Sequence, residues 1–267
     1  MRRIAAFARA AALLFVAAPV ACLGSTDPGD FPLPEFTDAD LRVLYVGNSL
    51  TYTNNLPGVV RALAVADGRT VSDIAYAAPD FSLEDHWRTG IASEIRRLEP
   101  DVVVMQQGPS SLPQNKAHLN FWSAQIAAVA REVGAAPTLF MVWPEATRQS
   151  AFLDVADSYA AAAAFNSALL APAGGTWLKA WELEPTLQFY GADGFHPSYL
   201  GTLAAAHAMY AVLFEVDPAS IPGLSDGVPA SVLQTLRAAL TESLATNWVI
   251  AASGDPVTQM RSRNSRR

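Results

Sequence analysis

The sequence predicts an α/β fold in which a parallel sheet carries helices on both faces. Three observations lead there. Short apolar runs rich in β-branched residues recur at similar intervals: "RVLYVG" (42–47), "VSDIAYA" (71–77), "DVVVMQQ" (101–107) and "PTLFMVW" (137–143). The first and third are almost continuously apolar, as strands covered on both faces are, whereas a strand with one wet face alternates. Between the runs lie stretches with apolar residues at helical spacing, and regular alternation of strand and helix is how parallel sheets are connected. Hydrophobic residues make up 51% of the 267-residue chain, enough for one large core and too many for a disordered protein.

The chain opens on "MRRIAAFARAAALLFVAAPVAC", where Arg2, Arg3 and Arg9 precede an apolar run from Ala10 to Val20 and then small residues. This is the layout of a secretory signal, and the run is shorter than a comfortable membrane span. Residues 1–22 are therefore expected to direct export, giving a periplasmic or outer-membrane lipoprotein or a secreted protein. Cys22, the only cysteine, ends a segment that resembles a bacterial lipoprotein box, in which such a cysteine is lipidated and anchors the chain. Pro19 stands where leucine is usual, so lipidation and simple cleavage remain alternatives. A single thiol excludes an internal disulfide. Residues 23–40, rich in Pro, Gly and Asp without periodicity, are expected to be a tether, and 41–250 the folded domain.

Within that domain, "LPGVVRALAVADG" places Val59, Leu63 and Ala66 on one helical stripe, with Gly68 as the stop. "IASEIRRLEP" groups Ile91, Ile95 and Leu98 ahead of Pro100. "NFWSAQIAAVAREVG" and "FLDVADSYAAAAAFNSALLAP" are two further helices, closed by Gly134 and Pro172. The pattern loosens through "AGGTWLKAWELEPTLQFYGADGFHPS", then resumes as helices from Pro197 to about Phe214 and from about Val228 to Thr246. The basic tail, 251–267, is expected to be disordered.

Charged residues are 16% of the chain and the net charge is -7, with lysine only at 116 and 179, which leaves no basic footprint for nucleic acid. There is no H-E-x-x-H and no spaced Cys/His cluster, so no metal or other cofactor is expected. The oligomeric state is not legible.

Open parallel sheets bind ligands beyond the carboxyl ends of their strands. In "VLYVGNSLTY" that position belongs to Ser49, whose hydroxyl would be exposed and whose N–H would lie near a helix start that favours developing negative charge. Such a serine suits an acyl-enzyme mechanism, although Gly, Asn and Ser also make plain strand-to-helix corners. The G-x-S-x-G elbow is excluded because Thr51 replaces its second glycine. In "GADGFHPSYLGT", Asp193 and His196 stand three apart in a turn, with Pro197 suited to the first position of the next helix. They could be a base and its orienting carboxylate, or an Asp-Gly turn with a capping histidine. His207 sits among alanines as a core residue would, while His86 and His118 lie in loop or helix-start contexts.

Together these segments resemble the SGNH (GDSL-like) hydrolases over residues 41 to 214. "VGNSLT" is similar to the family's first block, where the nucleophilic serine follows Gly-Asp or Gly-Asn directly after the first strand, and "DGFHPSYLGT" to its last, whose Asp-x-x-His supplies carboxylate and base. The resemblance implies a three-layer α/β/α sandwich with a parallel, flavodoxin-like sheet, and a catalytic set of Ser49, Asp193 and His196. The family's third block, Gly-x-Asn-Asp, is altered: "DVVVMQQGPSS" has Gly108 but puts Ser110 where the asparagine belongs. Sialate acetylesterase-like sequences carry Gln-Gly-x-Ser here, which implies Gln107 as the oxyanion donor, with Gln106 and Ser110 as alternatives. The second block lacks its glycine in "YAAPDFSLEDHW". A backbone N–H from Asp80 or Ala78 could replace it, joining that of Ser49, but Pro79 has none to offer.

The family and the leader imply an exported esterase that removes acyl groups, commonly acetyl, from a carbohydrate or a related ester. Asn48 and Trp143 are expected on the substrate side, Trp143 as part of a sugar-stacking wall with Trp87 and Trp122. Two rivals share the fold: a non-catalytic surface carbohydrate-binding lipoprotein, favoured by the altered blocks, and an O-acyltransferase using the same triad.

Overall fold

The computed structural model describes residues 34–249. The expected leader with Cys22, residues 23–33 of the expected tether and the basic tail lie outside the described residues. Five parallel strands form one sheet in the order β2-β1-β3-β4-β5: β1 (Leu41–Gly47), β2 (Val71–Ala77), β3 (Val102–Met105), β4 (Ala136–Phe140) and β5 (Leu169–Ala171). This is the flavodoxin-like order, and its topological switch point lies between β1 and β3. The helices are α1 (Ser49–Tyr52), α2 (Leu56–Ala66), α3 (Leu83–Arg88), α4 (Ile91–Leu98), α5 (Pro113–Glu132), α6 (Phe152–Phe165), α7 (Ala173–Leu183), α8 (Tyr199–Phe214) and α9 (Ala230–Ala245). They pack into two layers, α2, α8, α7 and α9 in one and α3, α4, α5 and α6 in the other. No helix among the described residues is long and apolar enough to cross a membrane.

The sequence accounts for much of this. Val43 to Val46 are fully buried because β1 is covered on both sides by helices and flanked on both edges by strands. β1 pairs with β2 from Leu41↔Val71 to Gly47↔Ala77, and with β3 from Val43↔Val102 to Val46↔Met105. That register brings the ends of β1 and β3 level at the switch point. Just before β1, Asp40 and Thr70 exchange hydrogen bonds while Thr37 donates to Ser72, so the chain entering the sheet is fastened to the start of β2. α3 opens with a capping box between Ser82 and Asp85, and α8 with Ser198 accepting from the Gly201 N–H at 3.1 Å.

Several expectations require correction. The helix expected to run to Pro172 stops at Phe165, after which Asn166 and the left-handed Ser167 turn the chain into β5, a three-residue edge strand. "AGGTWLKAWEL" is not loose but forms α7, whose glycines are there for space: a Cβ on Gly174 would lie 2.2 Å from the Val142 carbonyl oxygen. Ala66 is exposed, and the buried stripe of α2 is Val59, Val60, Leu63 and Ala64. Pro197 precedes the helix cap rather than starting the helix, and forms an isolated antiparallel bridge with Tyr190. Gln106 and Gln107 lie beyond the end of β3, and Met141 to Trp143 beyond β4.

Candidate active site

β1 delivers its last residues to the switch point, and a buried amide shapes the turn after them. Gln106, just past β3 and fully buried, accepts through Oε1 from the Asn48 N–H at 2.8 Å and from the Thr51 hydroxyl at 2.7 Å. Its Nε2 donates to Asn48 Oδ1 at 2.9 Å and to the Gln107 carbonyl at 2.7 Å. Asn48 Oδ1 also accepts from the Leu50 N–H at 3.1 Å as the cap of α1, while its Nδ2 donates to the Phe81 carbonyl. These bonds fix the turn that holds Ser49. Gly47 has an ordinary negative φ, so its lack of a side chain serves proximity rather than a left-handed turn.

The second half of the site arrives on the loop from Gly191 to Pro197. Gly194, left-handed at φ +69°, allows the Asp-Gly turn, and Asp193 Oδ1 accepts from the N–H groups of Phe195 and His196, both at 2.9 Å. Asp193 Oδ2 lies 2.6 Å from His196 Nδ1, and His196 Nε2 lies 2.8 Å from Ser49 Oγ. A carboxylate only accepts, so Nδ1 carries the imidazole proton and Nε2 is left to accept from the serine hydroxyl. Backbone N–H bonding from Phe195, reinforced by His196, holds the Asp193 carboxyl down at about 2, so it is ionised at any working pH.

A cleft of about 400 Å³ opens over Ser49, lined by Asp80, Phe81, Ser82, Gln107, Ser110 and Phe195 among others. Asn115 and His118, from the first turns of α5, close one side, with His118 Nε2 held 2.9 Å from Glu84. The structure thus brings Ser49, Asp193, His196, Asp80, Gln107 and Ser110 together. The N–H groups of Ser49 and Asp80 carry no hydrogen bond among the described residues. Asp80 is left-handed at φ +60°, a backbone state that glycine adopts readily, so an aspartate here keeps the shape that a glycine would supply. Gln107 Nε2 donates to Ser110 Oγ at 2.9 Å, leaving its second hydrogen free for the cleft.

Four expected residues have other work. Gln106 does not line the cleft, and both ends of its amide are committed to the turn. The Ala78 N–H donates to the Gly47 carbonyl at 3.2 Å, extending the sheet. Asn48 borders the cleft but spends its amide on Leu50, Gln106 and Phe81, so it shapes the turn that holds Ser49 and has little left for a ligand. Trp143 is fully buried, stacked on Trp177 at 3.7 Å, and donates its indole N–H to the Phe195 carbonyl at 3.0 Å, which steadies the loop that carries His196. Trp87 and Trp122 are half-buried, 6.3 Å apart, and do not line the cleft. Sequence reasoning missed Asn115, His118 and Phe81. Only the position of α5 shows that His118 faces Ser49's cleft, although its closeness to a helix start was visible.

His86 lies beneath the turn that holds Ser49. It is fully buried, its Nε2–H donates to the Gly47 carbonyl at 2.7 Å, and its Nδ1 meets no partner. Burial pushes its pKa down to about 4, and burial does the same, to about 4, for His207 in α8. Each is neutral in the folded chain yet protonated in the unfolded chain between about pH 6.5 and 4. The unfolded state therefore binds more protons there, and stability falls as pH falls through that window, by on the order of 3 kcal/mol per histidine at its lower end. The Asp101 carboxyl, lowered chiefly by its hydrogen bond from Arg42, acts in the same direction but only below the ordinary carboxylate range. Urea midpoints at pH 7 and pH 4.5 should differ clearly; equal midpoints would refute this account of the two histidines.

No protein-family model matches the chain, and no curated protein matches it in sequence. Solved structures do match its fold. A DUF4886 family protein from Bacteroides uniformis is 16% identical with a TM-score of 0.67, over 77% of this chain and 95% of that one. A candidate SGNH hydrolase from Slackia heliotrinireducens is 26% identical with a TM-score of 0.55, over 66% of this chain and 100% of that one. An acetyl xylan esterase, AlAXEase, is 13% identical with a TM-score of 0.53, over 64% and 98% respectively. The chain has the fold that these proteins share, an all-parallel sheet between two helical layers.

Proposed function

We propose that this chain, built on the SGNH hydrolase fold, is an exported serine esterase that removes short acyl groups, acetyl above all, from a carbohydrate or related ester. The observation that carries the reading is the unbroken chain of hydrogen bonds from Ser49 Oγ, which lines an open cleft, through His196 to Asp193. Ser49 Oγ attacks the ester carbonyl carbon as its proton passes to His196 Nε2, and Asp193 stabilises the imidazolium that forms. The tetrahedral oxyanion is met by the N–H groups of Ser49 and Asp80 and by the second Nε2 hydrogen of Gln107. When the bond to the alcohol breaks, His196 returns the proton to the leaving oxygen. Water then attacks the acyl-enzyme with its proton going to Nε2, the acyl–Oγ bond breaks as Nε2 returns that proton to Ser49 Oγ, and the acid is released.

The polar side chains Ser82, Ser110, Asn115 and His118, set in a mixed lining beside Phe81 and Phe195, support a hydroxyl-rich alcohol and a small acyl group rather than a long hydrocarbon chain. Export rests on the arginines and apolar run ahead of Cys22, and membrane attachment on lipidation of that cysteine. The test is to treat the wild-type protein with a fluorophosphonate and map the adduct, alongside hydrolysis of 4-nitrophenyl acetate, 4-nitrophenyl palmitate and acetylated xylan. The adduct is expected on Ser49, with acetate esters turned over and palmitate not. An unlabelled Ser49 together with no hydrolysis of any ester would refute the esterase reading, and preference for palmitate would refute the short-acyl part.

A further inference from the structure

Ser49 and His196 are 147 residues apart in sequence, and their 2.8 Å contact needs something to set it. Three successive carbonyls around the base are each held. Phe195 accepts from the Trp143 indole at 3.0 Å, His196 accepts from the Gly191 N–H at 2.7 Å, and Pro197 accepts from Asn54 Nδ2 at 2.9 Å. The first two donors belong to the segment that follows β4 and to the base loop itself. Only the third comes from the nucleophile's side of the cleft. Asn54 lies five residues after Ser49, in the 3-10 turn Thr53–Asn55, and its Nδ2 also donates to Thr202 Oγ1 at 3.0 Å in the first turn of α8. Apart from the Ser49–His196 bond, these are the two hydrogen bonds among the described residues that join the segment 47–55 to the segment 188–202.

The amide cannot be turned over without loss. A carbonyl oxygen only accepts, so the Nδ2 side must face Pro197, and with one hydrogen on Pro197 and the other on Thr202 the amide is fixed in two directions. Its backbone is left-handed, at φ 52° and ψ 22°, a state that asparagine tolerates better than most residues, and its side chain reaches Pro197 and Thr202. We infer that Asn54 is a positioning residue that sets the separation of Ser49 from His196 by tying the nucleophile's turn to the carbonyl directly after the base. This rests on the reading of those two residues as nucleophile and base. Asn54 makes no hydrogen bond to either of them among the described residues and takes no part in the proton transfer.

The position lends itself to a clean test because Asn54 is exposed and glycine adopts the same backbone state without strain. Asn54→Gly deletes the clamp and keeps the turn; Asn54→Asp keeps size and backbone preference but sets a carboxylate against the Pro197 carbonyl. Both are expected to lower kcat on 4-nitrophenyl acetate on the order of tenfold to a hundredfold, the scale of a small misplacement of reacting groups. KM and the urea midpoint should stay close to wild type, and the rate of phosphonylation at Ser49 should fall by the same factor as kcat. A crystal structure of Asn54→Gly should show the Ser49 Oγ to His196 Nε2 separation lengthened beyond about 3.5 Å. Wild-type rates in Asn54→Gly, or an unchanged separation in its crystal, would overturn the inference. A wild-type protein that neither labels nor hydrolyses would overturn the esterase reading alone, because the crystal separation still decides the role of Asn54.

Discussion

Ser49→Ala is expected to lower 4-nitrophenyl acetate turnover by about 10⁴-fold or more, and His196→Ala by a similar factor, with urea midpoints little changed. The reason is that both act at one atom pair. Without Oγ there is nothing to acylate, and without Nε2 the hydroxyl keeps its proton and stays a poor nucleophile. The double variant should be no slower than either single one, since each deletion already removes the same step. Asp193→Asn should be nearly as severe for a different reason. Its Oδ1 could still accept from the N–H groups of Phe195 and His196, so the turn survives. The new NH₂ would face His196 Nδ1 and force that nitrogen to accept, moving the imidazole proton to Nε2, where it opposes the serine hydroxyl. Because Asp193 is ionised down to about pH 2, its titration cannot produce an acid limb in the rate profile above about pH 4. Steady-state rates of the four variants, with circular dichroism to establish folding, decide the matter. A Ser49→Ala protein at a tenth of the wild-type rate would sink the acyl-enzyme mechanism.

The parts of the fold that could be read from sequence were those whose physics is local and repeated. β1 and β3 announce themselves because a strand buried on both faces must be apolar throughout, and Val43 to Val46 or Val102 to Met105 leave no other comfortable arrangement; β2 and β4 show as short runs bounded by turn residues. β5 did not, since three residues hold no periodicity and the alanine-rich helix before it runs on in composition. α7 was hidden by its own packing, because the glycine at 174 that lowers helix propensity is the one the Val142 carbonyl requires. The candidate set of Ser49, His196 and Asp193 was legible as spacing and residue type, while its distances were not. Gln106 and Gln107 show the limit most clearly. They are neighbours of one type at one strand end, yet the first is buried under Asn48 and the second borders the cleft, and nothing short of the sheet register separates them. Asn54 was invisible for a similar reason, since its two partners lie more than a hundred residues away.

Gly47→Ala is expected to be the most damaging substitution of a single methyl group near the site. A Cβ at position 47 would lie 2.2 Å from Thr51 Oγ1, 2.5 Å from Gln106 Oε1 and 3.2 Å from Gln106 Cβ. The backbone is not the obstacle, for φ there is negative and suits alanine. Neither neighbour can yield cheaply. Gln106 is fully buried with both ends of its amide in use, and the Gly47 carbonyl is itself held by the N–H of Ala78 and by His86. Overpacking costs roughly 1–3 kcal/mol, and freeing a buried amide from its partners costs about as much again. A loss of about 2–6 kcal/mol should lower Tm by roughly 5–20 °C in a domain of this size. Turnover of the protein that remains folded should fall as well, because the wedge separates the Asn48–Thr51 turn from the strand that aims it. Removing Thr51 Oγ1 takes away the closest of the clashes, so Gly47→Ala with Thr51→Ala should be less destabilised than the sum of the two single changes. Calorimetry and 4-nitrophenyl acetate rates on the three variants test this, and a Gly47→Ala protein with wild-type Tm and turnover would show that the glycine before the nucleophile is there for some other reason.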